Sequence, residues 1–176
     1  MDFITDLPPS HGFDTLLVVV DQLSKQAHFV PTIRSLDAPG LAQLYLSAIF
    51  KLHGLPSSIV SNRDPLFTSL FWDSLTSQLG IQLKLSMAYH PQMDGQTEHV
   101  NQCIEQYLWN FCSYQQDDWV DWLGIAEFHY NNLVHESTHV SPFFANYSFN
   151  PSFSIPHLHQ SLTPASGNFL DHLSTI

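Results

Sequence analysis

The chain is poor in positive charge. Among its 176 residues only Lys25, Arg34, Lys51, Arg63 and Lys84 are permanent cations, against 16 carboxylates, and the net charge is −11. Proteins that grip nucleic acid by its phosphates use clustered Lys and Arg, and an acidic surface repels a polyanion at long range. The composition therefore argues against a general phosphate binder at neutral pH. The eleven histidines would add charge only below about pH 6.5. Cysteine is nearly absent. Cys103 and Cys112 are nine residues apart, which on one helix sets them on opposite faces. A bridge between them is excluded, and free thiols in a reducing compartment are expected. No apolar run reaches the roughly 18 residues of a membrane span, and no signal-peptide pattern follows Met1. The expectation is a soluble, intracellular protein with no membrane partner.

What is present is a folding composition. Hydrophobic residues make up 44% of the chain, enough for the core of one domain. Residues 2–7, 14–22 and 27–33 read as three antiparallel strands with short turns. The run Leu16-Leu17-Val18-Val19-Val20 is too apolar to face water on one side, so the second strand is expected to be covered on both faces. Asp37 can cap a helix running to about His53, with Leu41, Leu44, Tyr45, Ala48, Ile49 and Leu52 at helical spacing, and Gly54 and Pro56 ending it. Ile59-Val60 forms a buried fourth strand. Thr68 or Ser69 caps a helix whose apolar face is Phe71, Trp72, Leu75 and Leu79. Residues 81–87 alternate as a half-exposed edge strand.

A loop with Pro91 and Gly95 then leads into the longest helix, about Gln96 to Tyr114, with Val100, Ile104, Tyr107, Leu108 and Phe111 as its buried stripe. A further helix spans about Trp119 to Leu133, and Ser141-Pro142-Phe143-Phe144 opens a short final turn. Residues 1–150 are expected to form the folded domain, and 151–176 a Pro-, Ser- and His-rich tail. The order gives an α/β fold with a mixed five-stranded sheet, three strands antiparallel and two parallel, and helices on both faces. It puts the first and fourth strands side by side.

Three positions converge in that sheet. Asp2 lies on the first strand, Asn62 ends the fourth, and Glu98 opens the long helix. Three carboxylates so placed could hold two divalent cations about 3.5–4 Å apart, activating an attacking oxygen and stabilising the leaving oxygen of a phosphodiester. Hard oxygen ligands suit Mg²⁺ or Mn²⁺. The middle position, however, is an amide. On its own, Asp2 at the second position could fray, and Glu98 could be an ordinary carboxylate at a helix start. Asp21, ending a buried strand, reads as a turn residue.

The residues that carry this geometry also carry a resemblance. Met1-Asp2-Phe3-Ile4-Thr5-Asp6-Leu7-Pro8, Leu17-Val18-Val19-Val20-Asp21, Leu52-His53-Gly54-Leu55-Pro56, Ile59-Val60-Ser61 and the block from His90 to Asn101 resemble the integrase catalytic core of Gypsy/Ty3-type LTR retrotransposons. So do Asp117-Asp118-Trp119, Ala126-Glu127-Phe128, Tyr130-Asn131-Asn132 and Ser141-Pro142-Phe143. The likeness covers about residues 1–150. It implies an RNase H-like fold, related to retroviral integrases, and enzymes that process 3′ ends of element DNA and join them to target DNA in the nucleus. It also implies a two-cation site for Mg²⁺ or Mn²⁺, DNA as partner and a homodimer.

Carried over by position, Asp2 matches the family's first Asp and Glu98 its Glu, so both would be metal ligands. The 35 residues between 62 and 98 match the family interval, so Asn62 stands where the family has its second Asp. An amide brings no charge, and activity is expected to be lost or very low. Asp64, two residues on, is a possible substitute. Arg63, Tyr89, His90, Gln92, Gln96, His99 and Asn101 would lie at the DNA face. Gln22 and His99 stand where the family usually has Arg, and Met93 where it usually has Thr. Residues resembling the family's N-terminal zinc-binding and C-terminal chromatin-reading modules are not found. A non-catalytic module that binds nucleic acid or protein is the alternative.

A second motif points elsewhere. His135-Glu136-Ser137-Thr138-His139 matches the H-E-x-x-H of zinc hydrolases. That chemistry needs a regular helix through both histidines and a third ligand. Ser137 and Thr138 are poor helix-interior residues, Pro142 follows closely, and no Glu comes later in the chain. A zinc hydrolase using His135 and His139 is therefore the remote reading.

Overall fold

A computed structural model of the chain describes residues 1–85 and 95–152, with the side chains of 95–99 and 109–111 outside that description. Strands β1 (Asp2–Ile4), β2 (Thr15–Val20) and β3 (Ala27–Thr32) form an antiparallel meander in the order β1-β2-β3. Asp2 pairs with Val18, and Val18 in turn pairs with Phe29. Asp2 is thus held in a ladder and does not fray. Strands β4 (Ser58–Ser61) and β5 (Gln82–Leu85) form a separate parallel pair.

The expected five-stranded sheet is therefore divided into three strands and two. β1 and β4 do lie side by side, since the Met1 nitrogen donates to the Val60 carbonyl at 2.8 Å. The ladder stops there because the next N–H on that edge, that of Phe3, donates to Asp2 Oδ1 at 2.8 Å instead. The Asp2 side chain uses the bond that would have continued the sheet.

β2 is covered on both faces. Leu16 and Val18 pack with Ile4, Ala27 and Phe29 against Val100, Ile104 and Leu108 of α4 (Gly95–Phe111), and against Trp119, Leu123 and Ala126 of α5 (Trp119–Asn132). Leu17, between them, points the other way. It packs with Leu41, Tyr45, Ile49, Ile59, Phe67 and Trp72 on the side of α1 (Ala38–Tyr45) and α3 (Leu70–Gln78). The strand's period of two thus splits one apolar run between two cores. Each fully buried Leu or Val in it contributes about 1.5–3 kcal/mol.

Local signals set the helix ends. Asp37 accepts from the Gly40 N–H at 2.8 Å and starts α1. Ser69 accepts from Trp72 N–H and starts α3. Ser141 does the same for α6 (Pro142–Tyr147) through Phe144 N–H. After α1 the chain does not continue as regular α-helix. Leu46–Phe50 is a π turn, followed by the short α2 (Lys51–His53). Leu52, expected on the buried face, is 57% exposed because that turn rotates the residues beyond it. Gly54, at φ 73 and ψ −156, stops α2 in a conformation only glycine adopts freely.

On α3, Trp72 and Thr76 face inward, whereas Phe71 and Leu79 are 44% and 42% exposed. Thr76 is accommodated because its hydroxyl donates to the Trp72 carbonyl. The Tyr130-Asn131-Asn132 motif also has a structural use. The buried Asn131 amide accepts from Ala27 N–H at 2.9 Å and donates to the Ala27 carbonyl at 2.8 Å, tying α5 to the edge of β3. Neither Cys103 nor Cys112 is in a disulfide. No helix among the described residues is long and apolar enough to cross a membrane.

Candidate active site

β1, the residue after β4, and α4 bring three polar side chains to one point. Asp2 projects from β1 toward the end of β4, where Asn62 Nδ2 donates to Asp2 Oδ1 at 2.5 Å. Asn101 Nδ2, from α4, donates to the other oxygen, Asp2 Oδ2, at 3.0 Å. With the Phe3 N–H, the carboxylate accepts from two side-chain amides and one backbone amide.

The orientation of Asn62 is fixed by its own oxygen. Asn62 Oδ1 accepts from Asp64 N–H at 3.0 Å, so the amide's NH₂ end is the end that meets Asp2. The same turn employs Asp64. Its carboxylate accepts from Leu66 N–H at 2.9 Å and its carbonyl from Phe67 N–H, which closes the turn ahead of α3. Asp64 is thus a turn-closing residue here, with an oxygen already committed to the backbone. Arg63, between them, is exposed.

Glu98 lies on the first turns of α4, one helical turn before Asn101, and so shares a face with it. Its side chain lies outside the described residues. Gln96 and His99 are on the same helix and their side chains are likewise outside; Tyr89, His90 and Gln92 are outside altogether. Asn101, expected at the DNA face, is placed on Asp2 by the structure. The three-residue step from Glu98 is the sequence signal for that position, since it puts an amide one helical turn from that carboxylate on a helix that packs over β2.

Among the described residues this set does not fit a pair of divalent cations. It offers one carboxylate and two amides whose NH₂ groups face that carboxylate, and no three His, Cys, Asp or Glu side chains gather into a metal-binding group. A second carboxylate at position 62 would sit against Asp2 as a like charge and would need a cation between them. The amide removes the repulsion and supplies a hydrogen bond in place of the cation.

The H-E-x-x-H segment is not a helix. α5 ends at Asn132, Leu133 is extended at ψ 146, and residues 136–138 form a turn in which His135 Nδ1 accepts from Ser137 N–H at 3.2 Å. His139 has φ 57. The zinc-hydrolase reading is overturned, because the two imidazoles do not share a helical face. Asp21 is a turn residue, accepting from both the N–H and the hydroxyl of Ser24.

A second polar cluster, not evident from the sequence, joins β3, α2 and α5. Glu127 Oε1 meets His28 Nδ1 at 2.9 Å, and its Oε2 accepts from Phe29 N–H at 2.8 Å. His28 Nε2 lies 2.8 Å from His53 Nε2. Burial pushes the His53 pKa down, and His28 adds to the effect while Asp21 and Glu127 oppose it. His28 and His53 line a cavity of about 420 Å³ with Asp21, Gln26, Tyr45 and Val60. In the sequence Ala126-Glu127-Phe128 is only a family motif, and nothing in its spacing points to a histidine a hundred residues away.

No protein-family model matches the chain. It is 38% identical over 154 residues, 88% of its length, to the transposon Tf2-3 and Tf2-4 polyproteins of Schizosaccharomyces pombe, and the match spans 12% of those polyproteins. Among solved structures, a chain of the simian T-cell lymphotropic virus intasome in complex with the PP2A regulatory subunit B56 gamma superposes with a TM-score of 0.67 at 19% identity. That match covers 92% of this chain and 58% of the other. The HTLV-2 integrase catalytic core domain in complex with magnesium superposes with a TM-score of 0.57 at 14% identity, over 81% and 91% of the two chains. The chain is homologous to a segment of Ty3/Gypsy-type Tf2 transposon polyproteins and has the RNase H-like fold of an integrase catalytic core.

Proposed function

We propose that the chain is an integrase core whose ancestral chemistry, 3′-end processing and strand transfer on DNA, is impaired at Asn62. The observation that carries this is the bond from Asn62 Nδ2 to Asp2 Oδ1. In the family's chemistry that point belongs to a cation between carboxylates. Here the protein neutralises Asp2 with amide donors from Asn62 and Asn101, and Asp64 spends an oxygen on Leu66 N–H. Mg²⁺ or Mn²⁺ would find one charge fewer than the family provides. On this reading the chain works on DNA in the nucleus as a homodimer, with Arg63, Tyr89, His90, Gln92, Gln96 and His99 toward the nucleic acid.

The test is strand transfer with Mn²⁺ on the native chain and on Asn62→Asp. The variant should exceed the native chain by about 100-fold, equivalent to about 2.7 kcal/mol of barrier. A native rate comparable to the variant's would sink the reading.

The net charge of −11 favours a second reading, a non-catalytic module that keeps the core as an interaction surface for protein or nucleic acid. A salt titration of DNA binding separates the two. A slope near zero, with no saturable binding at low salt, supports a protein-binding module, and a steep slope supports a DNA-directed core.

A further inference from the structure

We infer that His28 and His53 form a bidentate imidazole site for a borderline divalent cation, Zn²⁺ or Cu²⁺, where α2 and α5 meet β3. Three observations carry it. First, the two Nε2 atoms face each other at 2.8 Å. Two nitrogens each about 2.0–2.1 Å from one metal are about 2.8–3.4 Å apart for angles between square and tetrahedral, so the separation fits; the rings meet head-on, with centroids 5.0 Å apart, and a turn of each off the line between them brings both nitrogens onto an ion. Second, the Glu127 carboxylate sits on His28 Nδ1 at 2.9 Å. It holds the proton on Nδ1 and leaves the Nε2 lone pair directed at His53, which is the carboxylate–imidazole support that metal-binding histidines use. Glu127 is itself held by Phe29 N–H, so this support is built into the α5–β3 contact.

Third, the pair borders a cavity of about 420 Å³. Among the described residues no third His, Cys, Asp or Glu joins it, so water or an exogenous ligand would complete the coordination from the cavity side. Imidazole nitrogen selects Zn²⁺ or Cu²⁺ over Mg²⁺, which separates this site from the oxygen ligands around Asp2. His53 is exposed at the C-terminal end of α2, so an ion has a path in. A bound ion would staple α2 to β3, replacing one hydrogen bond with two metal–nitrogen bonds.

The experiment titrates the 176-residue chain with zinc chloride in competition with a chromogenic chelator, alongside His28→Gln, His53→Gln and Glu127→Gln. Each variant is first checked for native circular dichroism; His53→Gln, at an exposed position, is the variant whose fold is least disturbed. The native chain should hold one Zn²⁺ at least 10-fold more tightly than either histidine variant, and Glu127→Gln should lose about 10-fold. Electron paramagnetic resonance with one equivalent of Cu²⁺ should show coupling to two nitrogens in the native chain and lose it in His53→Gln. Equal Zn²⁺ affinity in the native chain and His53→Gln would overturn the site. So would a tight Zn²⁺ that disappears in Asp2→Asn while persisting in His53→Gln.

Discussion

The polar cluster beside the end of β4 and the one that joins β3, α2 and α5 are built on opposite plans. In the first a carboxylate, Asp2, accepts from amide groups of Asn62, Asn101 and Phe3. In the second, two imidazoles face each other and a carboxylate, Glu127, holds one of them, His28, while accepting from the backbone. In the first cluster both oxygens of Asp2 accept hydrogen bonds from amides. The second sets two nitrogens against each other at 2.8 Å beside an open cavity. The difference shows how one fold can satisfy a carboxylate with amides in one place and set two imidazoles against each other in another.

The comparison can be broken most sharply at Asn62. Asn62→Asp exchanges a donor for a like charge beside Asp2. In EDTA the variant should lose about 2–3 kcal/mol, seen as a melting temperature lower by about 5–10 °C, and Mn²⁺ should restore most of it. Equal melting of variant and native chain in EDTA would mean the amide is not the stabilising element.

Asn101→Leu removes the second donor but adds no charge. It should cost about 1–2 kcal/mol in urea unfolding, and Mn²⁺ should not restore it. Glu127→Gln keeps the shape of the other cluster and should cost about 1 kcal/mol, because Phe29 N–H or His28 Nδ1–H loses a charged acceptor. A loss larger than that of Asn62→Asp would reverse the ranking of the two clusters.

The smallest effect is a slope with pH. The His53 pKa is lowered in the folded chain, so the folded state binds fewer protons than the unfolded state in that window. Its contribution is complete above about pH 6.5 and is lost as pH falls through the folded value. Unfolding measured between pH 5 and 7.5 should therefore show stability rising with pH, and His53→Gln should flatten that rise.

Much of the frame is legible in the sequence because it rests on local signals. The double covering of β2 comes from an apolar run with no polar alternation. The starts of α1, α3 and α6 come from Asp37, Ser69 and Ser141. The register from Asn62 to Glu98 survives in plain spacing. The features that escape a reading of the sequence depend on contacts between distant segments. The break between β1 and β4 arises because the Asp2 side chain takes Phe3 N–H. The two-point hold of Asn131 on Ala27 is invisible to periodicity. His28, His53 and Glu127 are ordinary residues on three elements until the fold joins them. Leu52 departs from its expected burial because helical spacing assumes an unbroken α-helix.

The π turn at Leu46–Phe50 that displaces Leu52 also aims His53. On a continuous α-helix His53, twelve residues after Leu41, would lie about 120° around from it. A turn that absorbs one surplus residue reduces this to about 20°, onto the sheet-facing side. In terms of insertion and deletion, the helix carries one residue more than its outline requires and stores it in that turn. Removing the exposed Ser47 should therefore leave His53 facing β3, with the segment regular throughout. Tightening the turn to α-helix at constant length should instead swing His53 by about 100° and part it from His28. The helix tolerates a change in its length better than a change in its pitch.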